Sequence, residues 1–411
     1  MQRILVLGTG FAGLWSAVAA ARRLGELGAD KGETEVLAIN RTQWHSIRVR
    51  NYEAELKETL VPLGLVLDPI GVKHMVADVT GIDVSARAIT CIADGALQTL
   101  PYDRLIFALG SRLAQPAIPG LGTFAFNVDT YEAAERLNTH IRALPSFPQS
   151  PGQFTALIIG AGLTGIETAA EMPGKLRAAI TAAKAQCLDE APRVILADHQ
   201  PWIGSDLGEG ARGVIARALQ NLGVETRPGV SVISIDAGGA SLATGERIDA
   251  ATVIWCAGMQ AHPLTADFPV ARDKLGRLPV EANLKIKGMA AEFAAGDAAW
   301  LPIDGTHASV MSCQHARPMG RFAGYNAASD LLGAPNLPLH IDWYVTCLDL
   351  GPWGALYTEG WDRKIVLEGA EAKRIKEIIN RQRIYPPRSR VRQEILDAAA
   401  PIVQAAPAQT H

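Results

Sequence analysis

Two glycine-rich hexapeptides in this chain have the spacing that a dinucleotide phosphate requires. The first, Gly8-Thr9-Gly10-Phe11-Ala12-Gly13, follows the apolar residues 4–7, and the second, Gly160-Ala161-Gly162-Leu163-Thr164-Gly165, follows the apolar residues 156–159. In this pattern the first glycine permits a tight turn, the second lets a pyrophosphate approach the backbone, and the third lets helix and strand pack closely. One such hexapeptide is a weak signal, but two in the same strand–turn–helix context predict two bound nucleotides.

Polar residues end the strand that follows each hexapeptide. Asn40, followed by Arg41, occupies the position where an acidic residue normally binds the ribose hydroxyls, and the other interpretation is a turn residue at the strand end. Asp198 occupies the equivalent position in the second unit, and no arginine follows it. Because a carboxylate there binds a ribose diol and repels a 2′-phosphate, Asp198 predicts a preference for NADH over NADPH.

Three side chains are candidates for the chemistry itself. Glu167 lies on the helix that opens at Gly162, close to where a nicotinamide would sit, although an acid near a helix N-terminus is also stabilised by the helix dipole. Gln314 and His315 precede a helical pattern, so the Gln314 amide can polarise a carbonyl oxygen or stabilise a reduced ring. Alternatively, Gln314 caps the helix, with Pro318 in the first turn, and His315 is structural.

Composition limits the class of protein. The 411 residues are 48% hydrophobic and 20% charged, which is typical of a folded chain of two or three domains. A net charge of −3 predicts no nucleic-acid partner, and no zinc spacing or H-E-x-x-H motif predicts a metal. The dispersed cysteines indicate reduced thiols in the cytoplasm; they are Cys91, Cys187, Cys256, Cys313 and Cys347. The apolar N-terminus also resembles a signal peptide, but the glycine spacing explains those residues better.

The order of apolar runs, glycine turns and helical patterns predicts an α/β fold with two Rossmann-like domains and a small C-terminal α+β segment. We expect one domain in residues 1–118 and 263–335, the second in residues 119–262, and the segment in residues 336–411. Residues 373–392 contain eight Lys or Arg and one Glu, a net charge of +7. This run predicts contact with an anionic membrane surface, and its alternatives are a solvated helix or a homodimer contact.

Taken in chain order, these motifs resemble those of the type II NADH dehydrogenases, single-subunit NADH:quinone oxidoreductases within the two-dinucleotide-binding-domain flavoproteins. The resemblance covers roughly residues 1–385 and includes the strands that end at Gly110 and Gly258, the stretch 292–297 and the stretch 313–316. It implies FAD in the domain made of both chain ends, NADH in the inserted domain, and a hydride passed from NADH to the flavin before electrons leave for a second acceptor.

The predicted contacts divide between the two cofactors. Those to FAD are Gly8, Gly10, Phe11, Ala12, Gly13, Asn40, Arg41, Val79, Ala108, Gly110, Gly296 and Asp297. Those to NADH are Gly160, Gly162, Leu163, Thr164, Gly165, Asp198 and Gly258. The predicted catalytic residues are Glu167, Gln314 and His315.

Three features depart from the family pattern and leave the acceptor open. Asn40 replaces the usual acid, Pro318 replaces the second glutamine of the quinone-site signature, and residues 44–50 lack the usual Pro-Leu-Leu. The leading prediction is a cytoplasmic enzyme that reduces quinone at the inner face of the membrane. The alternatives are an NAD(P)H:ferredoxin or rubredoxin reductase, a flavoprotein redox sensor, and a sulfide:quinone oxidoreductase, which would need Cys313 and Cys347 to meet. Disulfide reductases are disfavoured because residues 32–60 contain no cysteine.

Overall fold

The computed structural model describes residues 1–29, 32–183 and 191–407, so Cys187 and the last four residues of the predicted C-terminal segment lie outside the described residues. The strands in these ranges are β1 Gln2–Leu7, β2 Thr34–Asn40, β3 Trp44–Ser46, β4 Leu60–Pro62, β5 Lys73–Val76, β6 Asp78–Asp83, β7 Ala88–Ala93, β8 Ala96–Pro101, β9 Arg104–Phe107, β10 Ser111–Leu113, β11 Thr155–Ile159, β12 Arg193–Ala197, β13 Val224–Arg227, β14 Val232–Asp236, β15 Gly239–Leu242, β16 Arg247–Asp249, β17 Thr252–Trp255, β18 Met259–Ala261, β19 Leu278–Pro279, β20 Glu292–Ala294, β21 Ala299–Trp300, β22 Val345–Asp349, β23 Ala355–Glu359 and β24 Lys364–Glu368. The helices are α1 Phe11–Glu26, α2 Leu63–Leu67, α3 Leu121–Phe124, α4 Tyr131–Ala143, α5 Leu163–Ala182, α6 Glu209–Asn221, α7 Cys313–Leu331, α8 Gly369–Ile378 and α9 Arg392–Ala398.

The first parallel sheet has the strand order β20-β9-β1-β2-β5. Its central strand, β1, is fully buried along the apolar residues 4–7, as expected for a parallel strand that is covered on both faces. Helices α1 and α7 cross closely because two glycines of α7 meet the backbone of α1. A Cβ at Gly320 would overlap the carbonyl oxygen of Ala12, and one at Gly324 would overlap that of Ser16.

The second parallel sheet, β13-β12-β11-β17, repeats the strand–turn–helix arrangement. Helix α5 follows β11, and the apolar side chains of α4, α5 and α6 join those of the sheet in one buried cluster. All strands of this sheet lie within residues 119–262, and those of the first sheet lie within residues 1–118 and 263–335. The domain boundaries themselves stay a prediction.

The C-terminal segment forms an antiparallel sheet, β22-β23-β24, on which α8 packs. A π-helical turn, Ile379–Arg383, extends α8, and residues 400–407 run back over the molecule with Ala406 buried. No helix in the described ranges is both long and apolar enough to cross a bilayer.

Candidate active site

The first glycine loop has the geometry that a dinucleotide phosphate needs. Gly8 has a φ of +87°, and a Cβ there would lie 2.6 Å from the carbonyl oxygen of Ala108. A Cβ at Gly13 would overlap the carbonyl oxygen of Gly8, whereas one at Gly10 would meet no described atom within 4 Å. The first and third glycines are therefore required by packing, and the second leaves open space at the N-terminus of α1, where a phosphate is favoured.

The second glycine loop repeats this division of roles. Gly160 has a φ of +103°, and a Cβ there would lie 2.7 Å from the backbone nitrogen of Ala257. A Cβ at Gly165 would overlap the carbonyl oxygen of Gly160, whereas Gly162 borders space that no described atom fills. Since Gly162 also precedes the first turn of α5, both loops fit a dinucleotide phosphate.

The polar residues that end β2 and β12 hold these loops in place. Asn40 Oδ1 accepts a hydrogen bond from the Thr9 amide at 3.2 Å. Asp198 Oδ2 accepts one from the Ala161 amide at 2.5 Å, and Oδ1 accepts a second from the Gln200 amide at 2.8 Å. Asn40 and Asp198 therefore each hold the glycine loop of their own site through a backbone hydrogen bond. This loop-positioning role is in addition to the ribose contact that the sequence predicts.

The remaining predicted contacts of the first site spread from β6 to the short helical turn that follows β20. Val79 is buried in β6, which begins beside Asn40 because the Ala77 amide donates to the Asn40 carbonyl at 2.9 Å. Arg41 is exposed. Asp297 accepts a hydrogen bond of 2.6 Å from the Oγ atom of Ser111, the residue that follows Gly110. Burial raises the pKa of the Asp297 carboxyl.

A cavity of about 270 Å³ lies where α5, the start of α7 and the C-terminal segment meet. The predicted residues that line it are Leu163, Thr164, Glu167 and Gln314. Arg48 also reaches it and joins the two domains, because its guanidinium donates to Ser111 and forms an ion pair with Asp129. The cavity is therefore lined by residues from both predicted cofactor domains and from the C-terminal segment.

Gln314 is the second residue of α7, and Ser312 caps this helix by accepting a hydrogen bond from the His315 amide at 3.4 Å. Gln314 Oε1 accepts a hydrogen bond of 3.4 Å from the Val345 amide of the C-terminal segment. The sequence placed Pro318 in the first turn of this helix, and that prediction is wrong by about one turn. Helix α7 begins at Cys313, so Pro318 is its sixth residue. Since proline has no N–H, it cannot pair with the carbonyl of Gln314 inside the helix.

His315 does not line the cavity. It is fully buried, and its Nδ1 accepts a hydrogen bond from the Val310 amide at 2.9 Å, so its other ring nitrogen carries the proton. Burial lowers the pKa of His315 to about 4, which leaves the ring neutral at physiological pH. This environment does not favour the proton-relay role that the sequence suggests.

Glu167 forms a buried ion pair with Lys376 of α8, at 2.7 Å between Oε1 and Nζ. The same oxygen accepts a hydrogen bond from the Asp349 amide at 3.1 Å, and Nζ also donates to the carbonyl of Cys347 at 2.9 Å. Burial raises the pKa of Glu167. Burial alone would lower the pKa of Lys376, but the Glu167 carboxylate outweighs it and raises that pKa. The pair ties α5 to the C-terminal segment at the cavity wall.

Sequence reasoning missed two arginines that line this cavity. Arg317 and Arg321 are buried on α7, and their guanidinium carbons lie 5.5 and 4.5 Å from the ring centroid of Trp15 on α1. They follow Gln314 by three and seven residues, a spacing that places all three side chains on one face of a helix. This helical spacing was the sequence signal that could have placed the two arginines beside Gln314.

The comparisons with known proteins agree with the motifs. Residues 2–320 match the family described as pyridine nucleotide-disulphide oxidoreductase. An NADH dehydrogenase-like protein of Mycobacterium tuberculosis H37Rv is 53% identical over 407 residues, which cover 99% of this chain and 100% of that protein. A type II NADH:quinone oxidoreductase of Staphylococcus saprophyticus is 25% identical over 93% of this chain and 95% of its own length. NDH2 from Plasmodium falciparum in complex with NADH is 12% identical, with a TM-score of 0.78 over 97% of both chains, and this likeness confirms the predicted fold.

Proposed function

The chain belongs to the pyridine nucleotide-disulphide oxidoreductase family, and on that premise we propose that it is an FAD-dependent enzyme that oxidises NADH and reduces a quinone. Relatives named NADH dehydrogenase-like protein and type II NADH:quinone oxidoreductase support this assignment. The observation that carries it is the cavity at the junction of α5, α7 and the C-terminal segment, because an acceptor bound there is next to both cofactor domains.

The first glycine loop holds FAD, which, when bound, takes a hydride equivalent from NADH and returns two electrons to the second acceptor. The N-terminus of α1, left open at Gly10, receives the pyrophosphate. Asp297 offers a half-buried carboxylate to a polyol hydroxyl, while Ser111 and Arg48 keep that carboxylate in place.

The second glycine loop holds NADH. The open space at Gly162 and the N-terminus of α5 receive its pyrophosphate, and the carboxylate of Asp198 accepts from a ribose diol. Arg227, at the end of the neighbouring strand β13, lies 4.0 Å from Glu225 and 3.9 Å from Glu246. These carboxylates compete for its charge, so Arg227 is a poor partner for a 2′-phosphate.

Gln314 and Lys376 serve the acceptor. Gln314 lies near the N-terminus of α7, so its amide and the helix dipole favour negative charge on an acceptor oxygen. Lys376, whose charge is paired with Glu167, offers its ammonium group as a fixed hydrogen-bond donor on the cavity wall. His315 is left out of this scheme because its ring is neutral and does not itself line the cavity; it lies behind Gln314, with 3.4 Å between the Nε2 atoms of the two side chains.

The sulfide:quinone alternative needs reactive thiols. Cys313 and Cys347 do line the same cavity, but burial raises the pKa of both thiols, to about 12 for Cys347. Since the thiolate is the nucleophile, protonated thiols disfavour this chemistry.

Two half-reactions test the function. The purified holoenzyme is reduced anaerobically with NADH. Reoxidation of the flavin is then followed after mixing with a quinone, with a ferredoxin, or with buffer alone as the control. We expect flavin bleaching by NADH and rapid return of the flavin absorbance with quinone. Faster reoxidation by ferredoxin would assign the reductase alternative, and slow reoxidation by both acceptors would favour a redox sensor.

A further inference from the structure

Among the residues that the structure describes, Arg317 and Arg321 are buried cations without an acidic partner. Their exposed fractions are 7% and 2%, and the Nε atom of each makes no hydrogen bond to a described residue. In the part of the chain that the structure describes, no carboxylate lies within ion-pair distance of either guanidinium. Burial lowers the pKa of Arg317 to about 10 and that of Arg321 to about 9, so both remain charged at neutral pH.

Two of the other three cations that line the cavity are compensated by carboxylates, since Arg48 pairs with Asp129 and Lys376 pairs with Glu167. The third, Arg383, is half-buried and donates a hydrogen bond to the carbonyl of Ala405. Of the described residues that line the cavity, five are basic and one, Glu167, is acidic. An uncompensated buried charge is unfavourable, so the lining of this cavity has a positive potential that favours an anionic ligand.

The position of the two arginines relative to Gln314 says which part of a ligand they meet. At the rise of an α-helix, Arg317 and Arg321 lie about 4.5 and about 10.5 Å beyond Gln314 along α7. An acceptor whose reacting carbonyl is at Gln314 therefore presents its far end to the guanidinium groups. Planar guanidinium groups are suited to carboxylates, sulfonates and similar oxyanions, which they bind through paired N–H donors.

We propose that the acceptor is an anionic quinone, one that carries a carboxylate, a sulfonate or an ionised ring hydroxyl, and that Arg317 and Arg321 bind this group. This inference rests on the proposed function, since it names the class of acceptor. In each turnover, NADH gives one hydride equivalent and the solvent gives one proton. The products are NAD⁺ and the hydroquinone, in which both ring oxygens carry hydrogen and the anionic group is unchanged.

The first test compares 1,4-naphthoquinone-2-sulfonate with the neutral 2-methyl-1,4-naphthoquinone. For each variant we take the ratio of kcat/KM for the sulfonate to kcat/KM for the neutral quinone. Because the two quinones differ in intrinsic reactivity, this ratio is compared with that of the wild type, which cancels the difference. Because a hydrogen bond to a charged group is worth roughly a factor of ten or more, we expect Arg321→Gln to lower the ratio at least about tenfold. Arg177→Gln, an equal change of charge at an exposed position of α5 away from the cavity, is the matched control and should leave the ratio unchanged.

The second test does not depend on turnover. Oxidised holoenzyme is titrated with 2-naphthoate and with its neutral isostere, 2-naphthamide. We expect wild type to prefer the naphthoate by about tenfold or more, and Arg317→Gln and Arg321→Gln to lose that preference. Naphthoate preference without quinone reduction would retain the anion site and reject the quinone function. Quinone reduction with no anion preference would overturn the inference and leave the function standing.

Stability separates this role from a structural one. Replacement of Arg321 by an apolar residue of similar length, Arg321→Met, removes a buried charge that has no carboxylate partner among the described residues. We expect the ligand-free holoenzyme to have a higher Tm than wild type, and 2-naphthoate to raise that Tm no further. A lower Tm in the ligand-free variant would overturn the inference by assigning the arginines to packing. Loss of flavin from either arginine variant, with the naphthoate preference intact, would overturn it by assigning them to the FAD phosphates. Arg321→Lys, which keeps the charge, should retain part of the preference.

Discussion

At the scale of a single residue, substitution of Gln314 should affect one half-reaction and not the other. Its side chain lines the cavity from the second position of α7, where Oε1 accepts a 3.4 Å hydrogen bond from the Val345 amide and Nε2 lies 3.4 Å from Nε2 of His315. We expect Gln314→Ala to lower kcat/KM for quinone by about tenfold or more, because an oriented donor to a developing oxyanion is lost. Flavin reduction by NADH should be nearly unchanged in a stopped-flow measurement. Gln382→Ala, at an exposed position, is the control, and equal losses in both half-reactions would mean that Gln314 holds the flavin instead.

Asp198 combines two roles that substitution can separate. Asp198→Ala removes both the charge that repels a 2′-phosphate and the hydrogen bond to the Ala161 amide. Asp198→Asn removes the charge and one of the two acceptor oxygens, but its remaining oxygen can still accept from the Ala161 amide, as Asn40 Oδ1 accepts from the Thr9 amide in the first site. We expect both variants to shift the ratio of kcat/KM toward NADPH, and only the alanine variant to raise KM for NADH strongly. A wild-type enzyme that prefers NADPH would show that this assignment is wrong.

Two buried histidines make the protein sensitive to acid. Burial lowers the pKa of His45 and of His315 to about 4. Between the ordinary pKa of about 6.5 and the folded value of about 4, the unfolded chain binds protons that the folded chain does not, so stability falls as the pH falls. Each histidine contributes up to about 1.4 kcal/mol per pH unit to the free energy of unfolding. Urea unfolding at a series of pH values should show this slope, and a weaker slope in His315→Asn. Equal slopes for the variant and wild type would contradict it.

At the scale of elements, the buried ion pair of Glu167 and Lys376 fastens the C-terminal segment to the second domain. Lys376→Met leaves the buried carboxylate of Glu167 uncompensated, and we expect it to lower the free energy of unfolding by about 3–5 kcal/mol. The double variant Glu167→Leu/Lys376→Met removes both charges and should recover most of the loss. Urea unfolding measures the stability. A stable double variant that reduces quinone at the wild-type rate would exclude Glu167 as a proton relay.

The same scale shows what local sequence can predict. The strand–turn–helix units were predictable because each glycine loop is fixed by contacts within one short stretch and by its two neighbouring strands. Helix α7 was harder, because Ser312 caps it one turn earlier than the apolar pattern suggests. The environment of Arg317 and Arg321 depends on Trp15, about three hundred residues earlier in the chain, so no local pattern shows that they are buried.

At the scale of the whole molecule, the cavity depends on tertiary structure. Its wall combines residues near 48, the start of α5, the start of α7, strand β22 and the tail at 403–407. The sequence predicted that Glu167 and Gln314 are close to the flavin, and both do line the cavity. It could not predict that the Glu167 carboxylate is paired with Lys376, because that partner is 209 residues away.

The basic run at residues 373–392 is less available to a membrane than its charge of +7 suggests. Lys376 pairs with Glu167, and Lys373 pairs with Asp349 at 2.6 Å, so neither contributes a free charge. The basic residues of this run that are exposed are Arg374, Arg381, Arg388, Arg390 and Arg392. At about 1 kcal/mol for each basic residue near anionic lipid, partial engagement still predicts salt-reversible attachment.

Vesicle co-sedimentation measures this attachment directly. We expect the holoenzyme to sediment with anionic vesicles, to be released by salt, and to remain in solution with neutral vesicles. The double variant Arg388→Gln/Arg390→Gln should bind more weakly than Arg112→Gln/Arg142→Gln, which removes the same charge from exposed positions elsewhere. Equal weakening by the two double variants would mean that net charge alone, rather than this surface, attracts the lipid. Equally poor sedimentation with both kinds of vesicle would remove the membrane from the function, and the acceptor would then have to reach the cavity from water, as an anionic quinone can.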